Sequence, residues 1–123
     1  MMLTMAAPAT DPDPRLDTTM RVAPGDGETM HLAVHGELDL ATWAAFRDLL
    51  VSVADLWPRV VIDASGLTFC DARGLAALVA GAVRAERRGG RITLAHLRPN
   101  VAKVLRLAGL DRRFGLLAQG LRP

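Results

Sequence analysis

Apolar and polar positions change their period along this chain, and each change marks an element. Between residues 29 and 35 they alternate. Met30, Leu32 and Val34 fall on one side and His31, Ala33 and His35 on the other, as in a strand with one buried face. Residues 17–22 carry a weaker version of the pattern. The intervening Ala23-Pro24-Gly25-Asp26-Gly27 is a turn by residue type, because Pro fixes φ and Gly permits positive φ. The two segments predict an N-terminal β-hairpin. From Trp43 the period lengthens, and Trp43, Phe46, Leu49, Leu50, Val53 and Leu56 form one helical stripe. Asp39 or Thr42 caps this helix and Pro58 ends it. Val60-Val61-Ile62 is an unbroken β-branched run, which predicts a central strand covered on both faces. Ser65-Gly66 reads as a turn. Asp71 then opens a second helix, with the stripe Leu75, Leu78, Val79 and Ala82 and an end at Arg87-Arg88-Gly89-Gly90. Residues 91–96 alternate again. Pro99 sits where a first helical turn tolerates it; Val101, Val104, Leu105 and Ala108 form the third stripe, and Gly109 stops it. Residues 114–117 read as a last short strand or a turn.

The order β-β-α-β-α-β-α predicts a small α/β domain with a mixed sheet: an N-terminal hairpin plus parallel strands joined by right-handed crossovers. Helices pack on at least one face. Pro8, Pro12 and Pro14 interrupt a stretch without apolar period, so residues 1–16 are expected to be a disordered tail, 17–118 the domain and 119–123 a second tail. A chain of 123 residues is long enough to bury one core. Aromatic residues are 4% and Tyr is absent, so the core must be aliphatic.

Composition removes several function classes. No apolar run reaches the roughly 18 residues that a membrane span needs, and the first ten residues lack a signal-peptide pattern. Cys70 is the one cysteine, which excludes an internal disulfide framework and leaves no metal-ligand cluster. A cytoplasmic protein without membrane association is expected. Charge is uneven. Residues 1–83 hold 5 Lys/Arg against 11 Asp/Glu, while residues 84–123 hold 10 against 2. The basic residues are dispersed and no aromatic residues interleave with them, so solvated helix faces are expected in place of a nucleic-acid surface. His31 and His35, four residues apart on a strand, stand about 13 Å apart, too far to chelate one metal. No nucleophile elbow or phosphate-cradling loop is present. No metal and no cofactor are expected.

Val61-Ile62-Asp63-Ala64-Ser65-Gly66-Leu67-Thr68-Phe69, followed by Asp71-Ala72-Arg73-Gly74, resembles the signature of the STAS domain (sulphate transporter and anti-sigma factor antagonist). Gly36-Glu37-Leu38-Asp39-Leu40-Ala41-Thr42 resembles the segment that opens the first STAS helix. Arg88-Gly89-Gly90-Arg91 and Leu105-Arg106-Leu107-Ala108-Gly109-Leu110 also match the usual pattern, so the resemblance spans residues 29–114. It implies a STAS-like fold and a bacterial protein-interaction module that is not an enzyme and takes no small-molecule substrate. In anti-sigma factor antagonists the unphosphorylated domain binds an anti-sigma factor, often a serine kinase of the histidine-kinase-like ATPase fold, and frees the sigma factor. Phosphorylation of a Ser after the helix-opening Asp breaks the complex. On this chain Asp71 matches that Asp, Ala72 the phospho-acceptor, Arg73 the second small hydroxyl position and Gly74 the Gly. The family also implicates the residues near Asp39 and Ser65. The expected partner surface is therefore Asp39, Ser65, Asp71, Ala72, Arg73, Gly74 and Leu75, with no phosphorylation at the usual site. The alternative is an accessory subunit of a transport or signalling-scaffold complex, since STAS-like domains also occur in such assemblies. The short C-terminus predicts a monomer or weak dimer.

Ala72 has no oxygen to phosphorylate. Arg73 places a cation where a helix N-terminus mildly disfavours one. Asp71 is well placed to accept the unpaired N–H groups of that terminus.

Overall fold

The computed structural model describes residues 3–6, 15–22 and 28–116. Five strands form one mixed sheet in the order β1(Leu3–Ala6), β2(Leu16–Val22), β3(Thr29–Leu38), β4(Arg59–Cys70) and β5(Arg91–Ala95). The first two pairings are antiparallel, and β3–β4 and β4–β5 are parallel. Three helices follow the last three strands: α1(Trp43–Leu56), α2(Ala72–Arg87) and α3(Pro99–Leu107). The predicted order therefore holds from residue 16 onward. The first sixteen residues do not all lack structure, however. Leu3–Ala6 is a strand paired with β2, and Leu16 already belongs to β2. Its four residues take their order from β2's free edge, a source of pairing that local composition does not report. The turn expected at 23–27, residues 7–14 and the second tail lie outside the described residues.

Alternation fixes which sheet face is buried. Met30, Leu32 and Val34 on β3, Val60, Ile62 and Ala64 on β4, and Ile92 and Leu94 on β5 are all at most 1% exposed. Their neighbours His31, Ala33, Val61, Asp63, Thr93 and Ala95 are half-buried and His35 is exposed. The central strand is thus covered fully on one face only, contrary to the expectation from its β-branched run. Along β4 the pairing with β3 slips between Ala33 and His35 and again between Gly36 and Glu37. These slips explain why Ser65-Gly66 is not a turn: the strand continues through it as a bulge. The Asp63 carboxylate accepts the Ser65 N–H at 3.0 Å, and the missing Cβ of Gly66 leaves room for the His35 ring.

Helix packing uses smaller residues than the hydropathy stripes suggest. In α1, Phe46, Leu50, Val53 and Ala54 are buried, while Leu56 is 76% exposed. In α2 the buried face is Gly74, Ala77, Leu78, Gly81, Ala82 and Ala85, and Leu75 and Val79 are half-buried. Small residues let the two helices approach closely, for a Cβ at Gly81 would lie 2.4 Å from Leu50 side-chain carbons. Asp55 near the end of α1 binds Arg84 of α2 through two hydrogen bonds, at 2.6 and 3.1 Å. That arginine holds the Asp55 carboxyl below its usual range.

The chain then runs back along the sheet. Arg98, at the N-cap of α3, donates to the Ser65 carbonyl and Asn100 donates to the Thr68 carbonyl. Gly109 ends the helix with φ +73°. The segment 110–116 is a set of turns that lays Phe114 and Leu116 into the core, and the Leu94 N–H donates to the Phe114 carbonyl.

Candidate functional site

The candidate site is built where the C-terminal ends of β3 and β4 pass into the first turns of α1 and α2. Leu38 and Cys70 are paired across the two strands, so the loops that follow them start side by side. The Asp71 N–H donates to the Leu38 carbonyl at 3.2 Å. Asp71 then caps α2: its Oδ1 accepts the N–H groups of Arg73 at 2.9 Å and Gly74 at 3.1 Å. This is the cap the sequence predicted. It satisfies two donors that the helix leaves unpaired.

The other loop is organised by Asp39 and Thr42 together. Asp39 Oδ1 accepts the Ala41 N–H at 3.0 Å and the Thr42 N–H at 3.3 Å. The Thr42 hydroxyl accepts the Asp39 N–H at 3.0 Å and donates to the Glu37 carbonyl at 2.8 Å. Thr42 holds the N-cap position, yet its side chain makes no capping bond to the helix. Both sequence candidates therefore contribute, Asp39 to the turn and Thr42 to its anchorage. Arg15 adds an ion pair to Asp39 at 3.0 Å.

Gly74 joins the loops. A Cβ there would lie 2.6 Å from the Leu38 carbonyl oxygen and 2.8 Å from Cys70 Sγ. Only a residue without a side chain permits this approach. Cys70 beneath it is 5% exposed, and burial, with help from the Asp71 charge, pushes its thiol up to about 12. Its protonated, enclosed sulfur is a packing group.

Of the residues singled out in the sequence, Asp39, Asp71, Ala72, Arg73, Gly74 and Leu75 come together here. Ala72 and Arg73 are exposed, and Leu75 is half-buried. Ser65 stands apart. It lies six residues before Asp71 on β4, up to about 20 Å of extended chain. There its carbonyl accepts from Arg98 at 2.9 Å. Its N–H helps hold Asp63: burial works against that carboxylate's charge, but the Ser65 hydrogen bonds, with His96 and His35 nearby, prevail and lower its pKa. Among the described residues no group of three or more His, Cys, Asp or Glu side chains can hold a metal ion.

Sequence reasoning assigned Trp43 to the core stripe and did not assign Leu40, Arg47 or Phe69 to the surface. The structure places the Arg73 guanidinium 5.5 Å from the centroid of the Trp43 ring and that of Arg47 4.8 Å from it. Leu40 is 67% exposed and Phe69 44% exposed. Leu40 follows Asp39 directly, and Phe69 pairs with Glu37 across the strands. Two features carry a legible signal: an apolar Leu inside the Asp39–Thr42 turn, and a Trp in the first turn of a helix.

This fold, with a helix-capping Asp abutting the end of a parallel strand, defines a STAS-type α/β domain. The family described as Mlab, STAS domain matches residues 22–119, and the chain belongs to the STAS domain family. A STAS-domain containing protein of Pseudomonas aeruginosa is 28% identical over 89 residues, covering 72% of this chain and 88% of that protein. The anti-sigma factor antagonist SpoIIAA in its unphosphorylated form superposes with a TM-score of 0.65 at 22% identity, over 76% of this chain and 84% of that one. An anti-sigma factor antagonist from Mycobacterium paratuberculosis gives 0.61 at 24% identity, over 93% and 83%. The murine anion transporter Slc26a9 gives 0.62 at 19% identity, over 75% of this chain but 16% of the transporter. The fold is therefore shared by stand-alone regulators and by one part of a transporter. Among the described residues no helix is long and apolar enough to cross a membrane.

Proposed function

We propose that this chain is an anti-sigma factor antagonist-like regulator that binds an anti-sigma factor of the kinase-like ATPase type. It acts by contact and performs no chemistry of its own. The observation that carries this reading is the rigid junction at Leu38, Asp71 and Gly74. It presents the start of α2 beside an exposed Leu40 and Phe69 in a chain of STAS fold. At the position where a relative would carry a hydroxyl, Ala72 carries none. Binding is therefore not turned off by phosphorylation there, and the covalent off-switch is lost while the docking surface is kept.

Calorimetric titration against the kinase-type anti-sigma factors of the same genome, with and without ATP, tests the proposal. Tight binding without ATP-dependent loss is the expected outcome. Failure to bind any of them refutes it and directs the search to transport or scaffold complexes. Those assemblies are the second reading, favoured by the transporter's use of the same fold.

A further inference from the structure

The geometry points to an acidic segment of the partner protein as what docks at the start of α2, with Arg73 as the residue that receives it. This inference rests on the functional reading above and adds the chemistry of the partner. Arg73 occupies the second position of α2, where the helix dipole disfavours a cation. It is exposed, and among the described residues its guanidinium has no carboxylate partner. Three of the charges nearby are already engaged: Asp39 with Arg15, Arg47 with Asp48, and Asp71 with the N–H groups of α2.

What holds Arg73 in place is its contact with the Trp43 ring, whose centroid lies 5.5 Å from its guanidinium and 4.8 Å from that of Arg47. A guanidinium held near an aromatic ring by cation–π attraction still has N–H groups free to donate to a carboxylate. That contact also removes part of the side-chain entropy that docking would otherwise cost. The cation is thus preoriented beside exposed Leu40 and Phe69, which give an incoming segment apolar contact. The surface suits a chain that carries a carboxylate between apolar residues.

A synthetic peptide of alternating Glu and Leu serves as the probe, with its Gln and Lys counterparts as controls. Two readouts locate the event on the full-length chain. One is the fluorescence of Trp43 in a Trp57→Phe background, since the chain has two tryptophans and no tyrosine. The other is the set of backbone amide shifts. The expected result is saturable binding of the Glu peptide with shifts confined to residues 39–47 and 69–75, weakened by added salt. Arg73→Ala loses roughly tenfold or more in affinity, the scale of one charge-assisted hydrogen bond. Arg73→Lys, which keeps the charge but not the planar guanidinium, falls between. Absence of Glu-peptide binding, equal binding of the Gln peptide, shifts centred on Arg87, Arg91 and Arg112, or an unaffected Arg73→Ala overturns the proposal. The two readings fail separately. If the peptide binds at Arg73 but no anti-sigma factor binds, the function is wrong and the acidic docking site stands. If an anti-sigma factor binds equally well to Arg73→Ala and at raised salt, the function stands and this inference falls.

Discussion

Gly74→Ala tests whether the junction of β3 and α2 is as tight as its geometry requires. The new Cβ would sit 2.6 Å from the Leu38 carbonyl oxygen, 2.8 Å from Cys70 Sγ and 2.9 Å from Leu38 Cγ. Ordinary contact begins near 3.4 Å, so three atoms are violated together. The nearest is backbone and already accepts the Asp71 N–H. Cys70 and Leu38 are both buried, so neither has open space to enter. Overpacking of this kind costs about 1–3 kcal/mol, and three simultaneous contacts with a backbone atom among them belong in the upper half of that range. Against it stands a gain of about 1 kcal/mol, because Ala is the better helix former. The net expectation is a loss of about 1–2 kcal/mol. At about 4–8 °C per kcal/mol for a domain of this size, the melting temperature falls by roughly 5–15 °C. Urea unfolding followed by tryptophan fluorescence reads the stability directly. Under the proposed function, anti-sigma factor binding should weaken as well, because relief of the clash moves α2 away from Leu38. A stabilised Gly74→Ala protein would mean that the helix shifts freely and that the junction imposes no geometry on the site.

Three further outcomes follow from the same region and its flanks. Asp71→Ala removes the acceptor for two N–H groups of α2 and should cost about 1 kcal/mol in urea unfolding; no measurable loss refutes its role as a cap. Asp63 has a folded pKa below its unfolded value, so its contribution to stability is present above about pH 4 and is lost as pH falls through the folded value. Acid unfolding of Asp63→Asn should accordingly be shallower than that of the unaltered chain, and parallel curves would refute the assignment. Cys70 should react with a thiol reagent only as fast as the protein opens, because its thiol is buried and raised to about 12. Rapid modification of the folded protein under mildly alkaline conditions would show that the junction breathes.

Much of the fold was legible because period reports burial. The switch from two to about 3.6 at Trp43 marked α1, and Asp71 announced α2 through its residue type alone. The misreadings share physical causes. Hydropathy assigns little weight to glycine and alanine, so the contact made by Gly74, Ala77, Gly81 and Ala85 was hidden beneath a stripe of larger residues. Ser65-Gly66 has turn chemistry, but parallel pairing with β3, where Gly66 stands opposite His35, keeps it extended and turns the irregularity into a bulge. The site was legible in its covalent neighbours, Asp71 to Leu75, and in Asp39. It was not legible in the Trp43–Arg73 contact, since contact between the starts of two different helices leaves no mark on local spacing.

The uneven charge along the chain acquires a structural meaning once the helices are in place. The basic C-terminal third does not stand apart as a patch. Arg84 and Arg88 pair with Asp55 from the acidic part of the chain, and Arg113 pairs with Glu86. Arg84, Arg87 and Arg106 lie in the last turns of α2 and α3, where the negative end of the helix dipole favours them. Folding therefore ties several of these basic residues into ion pairs and helix ends. Arg73 is the counterexample that sharpens the argument. It is a cation at the wrong end of a helix, without a carboxylate partner among the described residues, and is held by an aromatic ring at the edge of a junction that needs glycine. Stability accounts for the first group of arginines. Ion pairing and the helix dipole do not account for Arg73; the acidic partner segment proposed above would.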